Sequence, residues 1–169
     1  MVDELHALGF KVMLWICPFV SPDSPEYRDL EAKGYLLKNP HGGTAVLNWW
    51  NGYSALLDFT HPNAQAWFKE QLDGLVRDFD VHGFKFDGGQ LDFYTQGLLA
   101  HDRKASSGDQ VLAYAKYCLE YPVCEYRNAW RFQGQPVVER LHDKGHRWSE
   151  LQKLVPDMIS GGLLGHPFM

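Results

Sequence analysis

Short apolar runs alternate along this chain with longer segments whose apolar residues recur at helical spacing. Phe10 to Ile16 (FKVMLWI) is nearly continuous and lies between Gly9 and Pro18. That composition predicts a strand buried on both faces, as in a parallel sheet. Val81 to Phe86 and Pro122 to Tyr126 (PVCEY) read as further short strands, and Gly161 to Met169 as the start of a fourth. Between them the spacing predicts helices. Asp3 to Leu8 ends at Gly9, and Tyr27 to Gly34 ends on its own glycine. Thr60 to Asp78 is the clearest, with Thr60 as N-cap, Pro62 in the first turn, and Ala66, Trp67, Leu72, Leu75 and Val76 near one face. Gln110 to Glu120 follows a polar stretch, His101 to Asp109, and a last helix runs from about Lys144 to Ile159.

Strand and helix in strict alternation predict an α/β architecture with a parallel sheet and crossover helices. Four strands make a small open sheet or half of a barrel. Tyr35 to Leu57, rich in Gly, Asn and Trp, reads as a long irregular loop after the first strand. Its position favours a barrel, where loops at the carboxyl ends of strands carry the site. No internal repeat, linker or low-complexity tract interrupts residues 1–169, which read as one domain.

Composition narrows the function. Apolar residues make up 45% of the 169 and charged residues 22%, enough to bury a core. A net charge of -5 argues against nucleic acid as the main partner, which wants a basic face. The longest strongly apolar run, Val12 to Val20, is far short of the roughly 20 residues of a membrane span. No signal peptide is visible at Met1-Val2-Asp3-Glu4, and no compartment is assigned. Cys17, Cys118 and Cys124 form no CxxC and cannot all pair, so a disulfide scaffold is not expected. His142 and His146 stand four apart near Glu139 and Glu150, but Gly145 weakens a helix there and no HExxH occurs. No metal is expected. Dinucleotide, P-loop and serine-hydrolase motifs are also missing from the sequence.

Polar residues at strand ends are then the candidates. Asp87 ends GFKFD and precedes two glycines, which places a carboxylate at the mouth of a sheet; a turn aspartate is the plain alternative. Asp143 lies in RLHDKGHRWSEL ahead of a helix, where an N-cap is the plain alternative. Two mouth carboxylates on different strands suit glycoside hydrolysis, which needs an acid and a nucleophile or base beside one glycosidic oxygen. Arg127 closes the third strand and is placed to clamp a hydroxyl or hold a carboxylate. Trp15 and the tandem Trp49-Trp50 are candidate platforms for a sugar face.

The order of these segments resembles the catalytic barrel of glycoside hydrolase family 31, the retaining α-glycosidases. LHALGFKVMLWICPFV resembles the family's third-strand block, and WNGYSALLDFTHPNAQAWF its Trp-Pro-Gly and Asp-Phe-Thr-Asn-Pro segment. Trp50 falls on the family tryptophan, with Asp58 eight residues later, and GFKFDGG resembles the nucleophile block. Arg127 falls on the substrate-contacting arginine. The acid/base aspartate of many members follows that arginine by sixteen residues, where this chain has Asp143. Trp148 and Leu151 match the aromatic and the leucine beyond it.

The resemblance implies a partial (β/α)8 TIM barrel of about four strands of eight, incomplete at both ends. It implies Asp87 as nucleophile, Asp143 as acid/base, and Trp15, Trp50, Lys85 and Arg127 as substrate contacts. It implies a carbohydrate substrate and no cofactor. Departures shape the expected sugar. Cys17 stands where α-glucosidases have Asp, and Asp87-Gly88-Gly89-Gln90 replaces Asp-Met-Asn-Glu. Lys85 resembles members acting on α-xylosides and α-galactosides, and the 56-residue separation of Asp87 from Asp143 resembles the α-galactosidase-like branch. An α-galactoside is therefore expected over an α-glucoside or α-xyloside. Half a barrel is also expected to be marginally stable and nearly inactive alone. A non-catalytic sugar-binding homologue and a doubly wound α/β protein of another function are the alternatives.

Overall fold

A computed structural model describes residues 1–95, 97–128, 130–166 and 168–169. The chain runs α1 (Val2–Ala7), β1 (Met13–Ile16), β2 (Phe19–Val20), α2 (Pro25–Lys33), β3 (Val46–Trp49) and β4 (Gly52–Leu56). It continues through α3 (Pro62–Phe79), β5 (Gly83–Phe86), α4 (Ser107–Ala115), β6 (Val123–Tyr126), β7 (Val138–Glu139) and α5 (Trp148–Leu163). The main sheet is parallel in the order β1-β5-β6-β7, with helices in the crossovers from β1 to β5 and from β5 to β6: part of a TIM barrel, as expected.

One face of this sheet is the core. Phe84, Phe86 and Tyr126 are buried there against Phe59, Phe68 and Leu72 and against Tyr114 and Tyr117. Each such side chain contributes about 1.5–3 kcal/mol by leaving water. α3 buries Ala64, Phe68 and Leu72, four apart, with Trp67, Leu75 and Val76 at the margin; Ala66, expected on this face, is exposed. The N-cap is His61 rather than Thr60, and its ring Nδ1 accepts from Asn63 N at 3.1 Å. Thr60 instead bonds Asp58.

The other face departs from the expectation of burial. Register aligns Trp15 with Lys85 and Lys85 with Glu125, so all three project to one side. Trp15 is 44% exposed and Met13 is exposed too. This is the barrel interior, where Lys85 and Glu125 stand in register beside Trp15.

Tyr35 to Leu57 is not a plain loop. β3 and β4 form a hairpin through Trp50-Asn51, and β2 adds to β4, giving a small antiparallel sheet β2-β4-β3. The predicted fourth strand is also corrected. Its place is taken by β7, while α5 starts at Trp148 and continues through Pro156, Gly161 and Gly162 to Leu163. A Cβ on Gly161 would stand 2.2 Å from Met169 Sδ, so glycine allows a close approach here instead of ending the helix. Of the residues predicted as that strand, Phe168 bridges Val138 in parallel and Pro167 lies outside the described residues.

Candidate active site

The carboxyl ends of β1, β5, β6 and β7 converge on Asp87. It is one residue beyond β5, its backbone N–H still bonded to Ile16 O at 2.9 Å. Gly88 and Gly89 follow with φ of 68° and 69°, a left-handed pair that strongly favours glycine. A Cβ on Gly89 would meet the Tyr114 ring at 2.8 Å. The Tyr114 hydroxyl donates to Asp87 O at 3.0 Å, pinning the turn from the helical side.

Asp87 is only 5% exposed, yet its carboxylate is fully engaged. Trp15 Nε1 donates to Oδ2 at 2.9 Å, Arg127 Nη1 to Oδ1 at 3.0 Å, and Gly88 N to Oδ1 at 2.9 Å. Burial pushes the carboxyl up. The bonds from Trp15, Arg127 and Gly88 outweigh it and hold the group below its ordinary value. Arg127 bridges onward, with Nη2 donating to Asp143 Oδ2 at 3.2 Å. Burial works against the guanidinium's charge, and the carboxylates of Asp87 and Asp143 raise its pKa in spite of it.

Asp143 has a side chain 71% exposed, on the irregular segment between β7 and α5. It is not a cap: α5 begins five residues later with Arg147 as N-cap and no side-chain bond. His142 and His146 lie on the same irregular segment rather than on a helix. Trp50 is 62% exposed and meets Trp15 edge-on with centroids 6.0 Å apart. The tandem pair is split, because Trp49 is buried and stacked on Phe19 at 4.0 Å. Lys85 sits one step below Asp87 on the interior face, its Nζ 3.8 Å from Glu125 Oε1. Cys17 is nearby, and burial first, then the Asp87 charge, push its thiol up to about 11 against the lowering bond to Phe19 O.

Thus Asp87, Asp143, Trp15, Trp50, Lys85 and Arg127 are brought to one end of the sheet. Two more residues belong to the same cluster. Glu125 precedes Arg127 by two on β6, so the period of a strand already puts both on one face. Arg140 follows β7 and hydrogen-bonds Asp143 while lying 3.9 Å from Asp87 Oδ2 and 3.8 Å from Glu125 Oε1. No sequence pattern singled it out. A cleft of about 690 Å³ opens beside them, lined by Gln90, Arg127, Asn128, Glu139 and His142 among others. A groove of about 430 Å³ at Pro62, Lys69, Tyr117 and Glu120 lies on the helical side, away from this chemistry.

Comparison with known proteins shows the family. Residues 1–169 match the family described as glycosyl hydrolases family 31 TIM-barrel domain. The mouse myogenesis-regulating glycosidase is 29% identical over 174 residues, covering 100% of this chain and 24% of that protein. The 1,3-alpha-isomaltosidase of Kribbella flavida is 31% identical over 118 residues, covering 66% of this chain and 16% of its own. Among solved structures, the cycloalternan-degrading enzyme from Trueperella pyogenes superposes with a TM-score of 0.80 at 25% identity, over 99% of this chain and 26% of that one. The chain therefore spans about a quarter or less of the length of these relatives. By its whole-length match, its strand order and its motifs, the chain belongs to the TIM-barrel domain of glycosyl hydrolase family 31, a family that hydrolyses α-glycosides.

Proposed function

We propose that this chain holds the catalytic pair of a retaining α-glycosidase and works as part of a longer polypeptide that completes the barrel. One observation carries the reading: Arg127 joins a buried Asp87, held ionised, to an accessible Asp143. A nucleophile must be ionised, and an acid/base must reach both the leaving oxygen and water. In the first step the Asp87 carboxylate bonds to the anomeric carbon as the glycosidic C–O bond breaks, and the proton of Asp143 goes to the departing oxygen. In the second, water replaces Asp87 at that carbon, gives its proton to Asp143, and frees the carboxylate. Retention needs the carboxyl groups roughly 5 Å apart, a spacing suited to one bridging guanidinium. A solved structure of the Trueperella enzyme is described as a covalent intermediate, which favours the same route here.

The sugar is an α-galactoside in preference to an α-glucoside or α-xyloside. Lys85 and the absence of a carboxylate at Cys17 favour this choice. Relatives described as alpha-xylosidase, isomaltosidase and sulfoquinovosidase mark the competing substrates. Trp50 and Trp15 supply apolar edges for the ring, and Arg127 a donor for its hydroxyls.

The test is proton NMR of the first-formed sugar from a panel of α-galactoside, α-glucoside and α-xyloside, with the longer polypeptide and its Asp87→Asn variant. The expected result is the α-anomer first, fastest from the galactoside, and a loss of about 10³-fold or more in the variant. β-Anomer formed first, or an unimpaired variant, overturns the mechanism. Sugar binding without turnover favours the non-catalytic homologue.

A further inference from the structure

The interior face holds an ion network larger than the two carboxylates and the bridging Arg127. Its least explained member is Arg140. It lies beyond the two-residue strand β7, with its backbone N–H bonded to Tyr126 O at 2.8 Å. The guanidinium then turns into the barrel. It donates to Asp143 Oδ1, approaches Asp87 Oδ2 at 3.9 Å, and sets Nε 3.8 Å from Glu125 Oε1. Glu125 lies on the central side of the network, with Lys85 Nζ on the same oxygen at 3.8 Å. Glu125 Oε1 and Arg140 Nη1 are both buried without a hydrogen-bond partner. A buried polar atom left unpaired costs stability, so something other than packing keeps this pair in place.

We propose that Arg140 is a positioning residue, which holds the acid/base Asp143 beside Asp87, with Glu125 as the counter-ion that holds Arg140. This rests on the retaining reading above. Asp143 stands on an irregular segment with no helix cap to fix it. Its place is set by two guanidinium groups, Arg127 from β6 and Arg140 from beyond β7. Arg127 is also the group that a sugar hydroxyl would recruit. Once it turns to substrate, Arg140 is the tether that remains. Glu125 keeps Arg140 from collapsing onto Asp87, because its carboxylate competes for the same guanidinium. The charged groups facing this pair are Lys85 and Asp87 from β5, and Glu125 and Arg127 from β6. His142 and Lys144 flank Asp143 along the chain.

The variants are Arg140→Met, Arg140→Lys and Glu125→Gln in the longer polypeptide. Each is assayed on an alkyl α-glycoside, whose alcohol needs a proton to leave, and on the matching α-glycosyl fluoride, which does not. Arg140→Met is expected to lose about 30-fold or more in kcat/KM on the alkyl glycoside and under about threefold on the fluoride, within the range that positioned acid catalysis contributes. Arg140→Lys should recover most of the loss, and Glu125→Gln should show the same substrate selectivity more weakly. Equal losses on both substrates, or no recovery in Arg140→Lys, overturn the proposal. If Arg140→Met does not fold, the other two variants decide by the same comparison.

A second measurement does not need turnover. Unfolding midpoints of Arg140→Met, Asp143→Asn and the double variant should be non-additive if the two side chains hold each other, and additivity overturns the proposal. A wild-type protein that hydrolyses no α-glycoside but shows this coupling defeats the enzymatic reading and leaves the tether standing.

Discussion

The indole N–H of Trp15 reaches across from β1 to donate to Asp87 Oδ2 at 2.9 Å, joining residues 72 apart in sequence. It is one of three donors that hold the carboxylate ionised against its burial. Trp15→Phe keeps an aromatic ring and removes the donor. A hydrogen bond to a charged group contributes about 1.5–3 kcal/mol, so kcat/KM should fall about 10- to 100-fold. The acid limb of the pH profile should also move up, since Asp87 loses a group that lowers its pKa. A pH–rate series on the variant of the longer polypeptide checks both.

Gly83 lies where β5 and β6 pair, and a Cβ there would stand 1.7 Å from Val123 O. No flexible side chain is available to give way. Gly83→Ala should therefore part the two strands that carry Asp87 and Arg127. A stability loss of at least about 3 kcal/mol is expected, at the upper end for overpacking. The urea midpoint, with an unchanged slope, measures it.

Asp58 is buried and accepts from Thr60 N, Thr60 Oγ1, His101 N and Gln110 Nε2. It ties the start of α3 to α4 and to the segment before it. Asp58→Ala strands those donors and should cost about 3 kcal/mol. Faster amide hydrogen exchange at His101 would locate the damage.

Burial raises the carboxyl of Glu139 above its ordinary value, and the nearby His166 and His142 only partly offset this. An acid whose folded value is raised binds a proton that the unfolded chain releases. Stability then falls as pH rises from the ordinary glutamate value through the raised one. Glu139→Gln removes that loss. The variant should be the more stable form at pH 7, with the advantage fading below about pH 4, as denaturation across a pH series would reveal.

The parts legible in the sequence were those with a strong local signature. β1, β5 and β6 are apolar runs between breakers, and α3 and α4 have well-marked periods. Asp87 was legible because a buried strand ends on it before two glycines. β7 was not, because two residues carry no period. α5 differs from its expected bounds at both ends: Gly161 and Gly162 look like a stop, yet the helix runs on through them, and at Gly161 Met169 fills the space that glycine leaves. The β3–β4 hairpin did have a local sign, Asn51-Gly52 between apolar residues, which the surrounding Gly and Trp content obscured. Arg140 had no sign at all, since its meaning comes from strands distant in sequence.

Among the described residues, the ion network of the interior face sets three cations, Lys85, Arg127 and Arg140, against three anions, Asp87, Glu125 and Asp143. A neutral glycoside approaching such a mouth feels alternating fields that cancel within a Debye length, about 8 Å in physiological salt. Nothing draws it in from a distance, and nothing repels it. Capture is left to diffusion and to short-range fit, so the second-order rate should hold nearly constant as ionic strength rises, in contrast to sites that collect charged ligands by steering.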